Sequence, residues 1–515
     1  MNDGDPCKLQ EECGVFACVA SGKLPTDLDV ANIIALGLIG LQHRGQESAG
    51  IVTGKGSSNE RLQCHKGMGL VGNIFNPSIL SNLSGNLGIG HNRYSTHGSS
   101  NISNCQPFVV EMQFGHIAVA HNGELVNKNR IRDEVMRRGV GLSSGSDSEL
   151  IIQLLCMPVE SEKGRFVDWP ERLKKLMQLT PTAYSIVLLH GDCVYAARDP
   201  LGNRPLCAGR LVSSPSAEKS QSTLGYVVSS ESCVFESMGA HMMFEIRPGE
   251  IVKVDKHGIT SVCVVSVPDS KTTAFCIFEY VYFARSDSFL EGQMVYTARK
   301  QCGKILAVES PVDADIVGTV PDSAVSAAIG YAEESGLPYD NLLARNRYIG
   351  RTFIQPSTRL RQLAVAKKFG VLKDNVNGKR IVVVDDSIVR GTTMSSIISM
   401  LRAGGATEVH VRIASPPVKY PCYMGINIPT PEELLANQLE RIEDITNYIG
   451  ADSLAYLSVQ GLHKAINKNI SLPSSTFDVK GTCIDAPYKN SRGDLPKRGH
   501  CAACLTGDYP VSLDW

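Results

Sequence analysis

Two adjacent carboxylates, Asp385 and Asp386, end a run of β-branched residues, Ile381 to Val384, in the stretch RIVVVDDSIVRGTT at 380–393. Acids this close would repel a phosphate unless they face a divalent cation or sugar hydroxyls. The residues that follow, Ser387 to Gly391 and then Thr392 and Thr393, are mostly small or hydroxyl-bearing and lead into a helix. Backbone N–H groups at a helix N-terminus hold an anion, so a phosphate fits there and its sugar fits the acids. A phosphorylated sugar with a bound cation satisfies both halves. A second chemical pattern closes the chain, Cys501-Ala502-Ala503-Cys504. Redox dithiols, zinc knuckles and iron–sulfur ligands all use this spacing. No thioredoxin-like strand–motif–helix surrounds it, so the thiols read as metal ligands that need two more from elsewhere.

These groups need elements to hold them. Ile381 to Val384 shows no alternation, as expected of a central strand buried on both faces. Met394, Ile397, Ile398 and Leu401 form one helix stripe, Thr392 and Thr393 can cap that helix, and Gly404 and Gly405 end it. Asp315 to Val320 repeats the pattern: a short apolar strand, the turn Pro321-Asp322-Ser323, then a helix from Ala324. Strands and helices alternate from Asp315 to Ala414, which predicts a doubly wound, mostly parallel sheet. Further forward, Tyr184 to Leu189, Val194 to Ala197, Tyr226 to Ser229 and Ile251 to Val254 are short apolar runs between turn residues, read as strands.

The chain has 515 residues, room for two or three domains, and a net charge of −1, which carries no nucleic-acid or membrane signature. Its longest apolar segment, Ile33 to Leu41, is too short to span a bilayer, and no secretory signal opens it. With 16 cysteines, this points to a reducing, cytoplasmic setting.

The front half carries an ordered set: Cys13-Gly14-Val15-Phe16-Ala17, Leu41 to Gly50, His91 to Thr96, His121-Asn122-Gly123-Glu124 and Ser146 to Glu149. Together these resemble the class II glutamine amidotransferase domain, an N-terminal-nucleophile (Ntn) hydrolase α/β/β/α sandwich. The resemblance implies that residues 1–12 are a propeptide, that Cys13 becomes the terminal nucleophile, and that Asn122 and Gly123 form the oxyanion hole. It further implies that Arg93 clamps the glutamine α-carboxylate and Asp147 its α-ammonium. A free α-amino group, with a pKa of about 7.7–8.0, can take the thiol proton where a peptide nitrogen cannot. His43, His91 and His121 have no metal spacing and read as structural.

The stretch from Asp385 to Thr393 resembles the 5-phosphoribosyl-1-pyrophosphate (PRPP) loop of type I phosphoribosyltransferases. That implies 5′-phosphate on the loop of Ser387, Arg390, Gly391, Thr392 and Thr393, and ribose hydroxyls or Mg²⁺ on Asp385 and Asp386. Ser323 is then a metal-side ligand, and the basic loop Arg345 to Pro356, with Arg351, closes over PRPP. The aromatic run Phe275 to Phe283 is expected to line a passage for neutral ammonia. Pro421 to Gly425 and Phe275 to Phe278 match segments of the cluster-bearing branch, which implies that Cys276, Cys422, Cys501 and Cys504 hold a [4Fe–4S] cluster, structural zinc being the alternative.

From Cys13 to Trp515 the chain resembles the glutamine PRPP amidotransferase family, animal-like type. The expected activity joins ammonia from glutamine to PRPP, giving 5-phosphoribosylamine, pyrophosphate and glutamate, the first committed step of de novo purine synthesis. Purine nucleotide inhibitors and a homotetramer or homodimer are implied with it. The expected domains are residues 13–268 and 269–465, followed by a C-terminal segment, 466–515. Ser286 stands where the resemblance expects proline. Another class II amidotransferase lacks the acid-pair loop, and a non-enzymatic PRPP-sensing regulator has no reason to keep the full front set.

Overall fold

The computed structural model describes residues 13–94, 101–162, 166–213, 222–266, 272–346, 367–426, 428, 430–468, 470 and 498–513. In its front half, strands with alternating side chains build two stacked antiparallel sheets. The first has the spatial order Ala240–Glu245, Cys207–Val212, Thr223–Ser229, Gly14–Ala20, Leu87–Arg93, Ser48–Gly54, Gln63–Met68. The second runs Gly258–Val264, Glu250–Asp255, Cys193–Arg198, Tyr184–His190, Gly115–Gly123, Phe108–Met112. Successive side chains point to opposite faces of a strand, and the core follows. Val15, Ala17 and Val19 meet Ala118, Ala120, Val187 and Leu189 between the sheets. Phe16 and Cys18 turn outward onto the helix Val30–Gly40. Ile117, Val119, Ile186 and Leu188 face the helices Asp147–Cys156 and Trp169–Leu179. The order is helix, sheet, sheet, helix.

The second half centres on a parallel sheet in the order Ile316–Thr319, Arg380–Asp385, Glu408–Ile413, Ser453–Tyr456. Ile316, Ile381 and Val383 enter one core with Met394, Ile397, Ile398 and Leu401 of the helix Thr392–Ala403. Val317, Val382 and Val384 enter the other, under the helices Val295–Glu309 and Val325–Ser335. Burial on both faces explains the uninterrupted apolar run.

Several strands escape the pattern reading, among them Cys207–Val212, Ala240–Glu245 and Gly258–Val264. The last two are edge strands with mixed exposure, so their apolar alternation is weak. Thr392 and Thr393 do not cap the helix. Gly391 occupies the cap with φ +75°, and the two threonines are its first helical residues. The aromatic run becomes a two-residue strand, Phe275–Cys276, and a π-helical turn, Glu279–Phe283. Among the described residues, no helix is long and apolar enough to cross a membrane.

Candidate active sites

The antiparallel register sets Gly14 opposite Asn92, so Cys13 lies beside Arg93 at the end of the ladder. The Cys13 thiol donates to the Tyr94 carbonyl at 3.6 Å. Burial pushes that thiol up to about 11; the Tyr94 hydrogen bond and Arg93 pull it down, while Asp147 and Glu47 push it up. Arg93 and Asp147, the charged residues singled out in the sequence, thus both act on the sulfur. Arg93 pairs with Glu47 at 2.9 Å. Asp147 opens its helix beneath the Ser146 cap, and its carboxylate accepts the Leu125 N–H at 2.9 Å.

Asn122 and Gly123 end their strand in the second sheet. Gly123 has φ +127°, and a Cβ there would fall 2.0 Å from the Ala183 carbonyl oxygen, so a side chain is excluded. Asn122 Nδ2 donates to Ser230 Oγ at 3.4 Å, and the same hydroxyl accepts the Val15 N–H at 3.0 Å. This hydroxyl ties the second sheet to the strand that begins beside the thiol.

At the other site, Asp385 and Asp386 are both buried. The Asp386 N–H donates to Asp385 Oδ1 at 3.0 Å, and Ser387 Oγ donates to Asp386 Oδ1 at 2.6 Å. The Ser323 hydroxyl donates to Asp386 Oδ2. Ser323 reaches it because Thr319 pairs with Val384 in parallel register, which sets the two strand ends and their loops side by side. Ligands of open α/β sheets bind at such carboxyl ends. Gly391 holds φ +75°, a backbone conformation that L side chains rarely adopt, and a Cβ there would press on Leu435 Cδ2 at 2.5 Å. Arg390 is turned toward Glu433, 2.9 Å from Nε. Arg351 lies outside the described residues.

The four cysteines converge from three distant segments. Cys276 pairs with Cys501 across a short parallel ladder. Cys504 is pushed well above its ordinary value, by burial first and then by Cys422, Cys276 and Cys501. Burial and then Cys501 push Cys422 up to about 11. Each of the four thus senses another member of the set. Among the described residues, however, no three His, Cys, Asp or Glu side chains form a ready site for a metal ion.

Comparison with known proteins accords with this geometry. A glutamine amidotransferase domain model matches residues 91–215. The chain is 56% identical over 514 residues to the amidophosphoribosyltransferase of Mus musculus, covering 98% of this chain and 99% of that one. The chain belongs to the amidophosphoribosyltransferase family. The family member from Archaeoglobus fulgidus is 44% identical, over 92% of this chain and 94% of that one. A solved structure of glutamine PRPP amidotransferase from B. subtilis, complexed with ADP and GMP, matches with a TM-score of 0.79 and 39% identity. It covers 97% of this chain and 98% of that one. As an amidophosphoribosyltransferase family member, the chain is an enzyme with a glutamine amidotransferase domain, acting at the first step of purine synthesis.

One residue central to the amidotransferase half escaped the sequence reading. Arg44, 1% exposed, donates from Nε to the Cys13 carbonyl at 3.1 Å. Its two Nη groups reach Glu279 at 2.8 and 3.0 Å, and Nη1 also pairs with Glu231 at 2.5 Å. A buried guanidinium needs such partners. Arg44 lies inside the stretch Leu41 to Gly50 without a role of its own in the sequence reading; beside it, a Cβ on Gly45 would sit 2.8 Å from the Arg93 backbone. Arg204 is the other such residue, fully buried, with Nε donating to Asn203 Oδ1 at 3.1 Å and Nη1 lying 3.8 Å from Glu279.

Proposed function

We propose that this enzyme releases ammonia from glutamine at a mature N-terminal Cys13 and adds it to PRPP at the Asp385–Asp386 loop, leaving 5-phosphoribosylamine, pyrophosphate and glutamate. One observation carries the glutamine half: Arg93, Asp147 and Glu47 all act on a buried Cys13 thiol immediately before the strand Gly14–Ala20. A thiol with a pKa of about 11 is almost wholly protonated at neutral pH, so it needs a base beside it. Removal of residues 1–12 supplies that base as the α-amino group of Cys13. The amine takes the thiol proton, and sulfur attacks the carboxamide carbon. Asn122 and the Gly123 N–H receive the oxyanion. The ammonium of Cys13 then protonates the leaving nitrogen, ammonia departs, and water cleaves the thioester. Arg93 and Asp147 hold the two ends of the amino acid group.

At the second site, the loop Ser387 to Thr393 holds the 5′-phosphate on backbone N–H groups, and Asp385 and Asp386 face the ribose hydroxyls. Ser323 and the acid pair suit Mg²⁺, a hard cation that takes one or two carboxylates plus substrate phosphates. When bound, Mg²⁺ neutralises the departing pyrophosphate. The acids themselves stabilise positive charge developing on the sugar.

Cys276, Cys422, Cys501 and Cys504 suit a [4Fe–4S] cluster of the animal-like type. Their origin in three separate segments with apolar neighbours suits a buried cubane better than a compact zinc finger. Such a cluster fastens the C-terminal segment to the Phe275–Cys276 strand. The proposal extends to a cytoplasmic homotetramer or homodimer inhibited by purine nucleotides.

Mass measurement of the purified enzyme tests the first half: the mature chain starts at Cys13. In Cys13→Ala, synthesis from glutamine falls by about 10³-fold or more while synthesis from ammonium persists. Equal loss of both activities would overturn the assignment.

A further inference from the structure

Arg299 is 6% exposed, and its hydrogen bonds run to neutral groups. From the helix Val295–Glu309, Nε donates to the Tyr280 carbonyl at 2.6 Å. Nη2 donates to the Ala284 carbonyl at 2.8 Å and the Glu279 carbonyl at 3.5 Å. Nη1 donates to Ser286 Oγ at 3.3 Å. Ser286 is the position where proline is expected from resemblance, and its hydroxyl supplies an acceptor that proline lacks. One guanidinium thus gathers every turn of the segment 279–286. A buried cation is expensive unless carboxylates offset it. Burial holds Arg299 below the ordinary arginine value; Asp386 opposes this most strongly, followed by Glu231, Cys302 and Glu279. The helix that carries Arg299 packs Ala298 and Cys302 in one core with Val382 and Val384 of the strand that ends at the acid pair. The segment that Arg299 holds carries Glu279, which grips Arg44 beside Cys13.

A continuous buried chain results: Cys13 carbonyl, Arg44, the Glu279 carboxylate, the Glu279 carbonyl and Arg299, on a helix whose Ala298 and Cys302 share a core with Val384 of the acid-pair strand. The segment that Arg299 clamps is the one that carries Glu279. If the clamp slackens, Glu279 moves, and with it the partner of Arg44. An uncharged side chain at this point would leave the three carbonyls that Arg299 gathers without their buried donor.

We infer that Arg299 is a positioning residue that couples the two reactions, its guanidinium fork holding residues 279–286 so that glutamine cleavage keeps step with phosphoribosyl transfer. The inference rests on the two-site reading above. Arg299 is none of the residues proposed to hold glutamine or PRPP, so synthesis from free ammonium should not need it.

The test measures glutamate and pyrophosphate released by the full-length enzyme, with glutamine or with ammonium chloride as nitrogen source. In Arg299→Met the ratio of glutamate to pyrophosphate rises from about one to about three or more, while the ammonium-dependent rate stays within about twofold. Arg299→Lys keeps the charge but cannot span three carbonyls, so its ratio also rises, by a smaller factor. A ratio that stays at one in Arg299→Lys, or in a folded Arg299→Met, overturns the inference. So does a parallel fall of the glutamine- and ammonium-dependent rates, which is the mark of a merely structural residue. Failure of the unsubstituted enzyme to make pyrophosphate from PRPP and ammonium would instead overturn the two-site reading itself.

Discussion

At the scale of single residues, the chemistry depends on groups held against their ordinary preferences. Gly123 must adopt φ +127° with its Cα against the Ala183 carbonyl. Gly123→Ala should therefore cost glutamine-dependent synthesis about 10²–10³-fold, the worth of an oxyanion donor, and leave ammonium-dependent synthesis standing. Parallel rate assays with the two nitrogen sources decide this. Glu231 offers a pH signature. Burial opposes its charge, but His43, Arg44 and the Ser288 hydroxyl more than compensate and hold its carboxyl well below the usual range. A carboxyl depressed on folding stabilises the protein at pH above its unfolded value and loses that contribution as pH falls through the folded one. Glu231→Gln should lose about 1–3 kcal/mol at pH 7 and show a flatter stability curve below about pH 5 than the parent. Urea midpoints measured from pH 7 down to pH 3 read both effects.

At the scale of elements, strand ends build both sites. Parallel pairing of Ile316–Thr319 with Arg380–Asp385 carries Ser323 to Asp386, and antiparallel pairing of Gly14–Ala20 with Leu87–Arg93 carries Cys13 to Arg93. Between strand and helix, Gly391 makes the turn with φ +75°, where a Cβ would also push Leu435 aside. Gly391→Ala should strain the loop by about 1–3 kcal/mol and raise the KM for PRPP about tenfold or more. Glutaminase activity measured without PRPP should not change, because the Cys13 ladder belongs to a different sheet. Replacing both acids, Asp385→Asn with Asp386→Asn, should lower phosphoribosyl transfer from either nitrogen source by about 10²-fold or more.

For the whole molecule, the thiol cluster is where the ends of the fold meet. Its four thiols come from Cys276, Cys422, Cys501 and Cys504, and the Cys504 carbonyl also accepts the Lys419 and Tyr420 N–H groups at 2.9 and 3.0 Å. Closing loops this long with one metal group should stabilise strongly. Cys501→Ser should lower Tm and loosen residues 498–513, read by limited proteolysis. Iron analysis of the native enzyme should find about four iron atoms per chain. One zinc per chain would establish the alternative.

Much of this architecture was legible before any coordinates, for identifiable reasons. The run Ile381 to Val384, followed by two acids and a hydroxyl-rich turn, could only be a doubly buried strand feeding a polar loop, because both faces are apolar and the pair of charges must exit at its end. The order of short motifs around Cys13, Arg93, Asn122 and Asp147 likewise announced an amidotransferase half. Arg44, Arg204 and Arg299 were not legible. A guanidinium looks the same in sequence whether it floats in solvent or lies 1% exposed between two carboxylates, since its partners, Glu231 and Glu279, are almost two hundred residues away or more. Long-range pairing of charges is a property of packing, and so only the folded chain disclosed that the two halves share one buried electrostatic network.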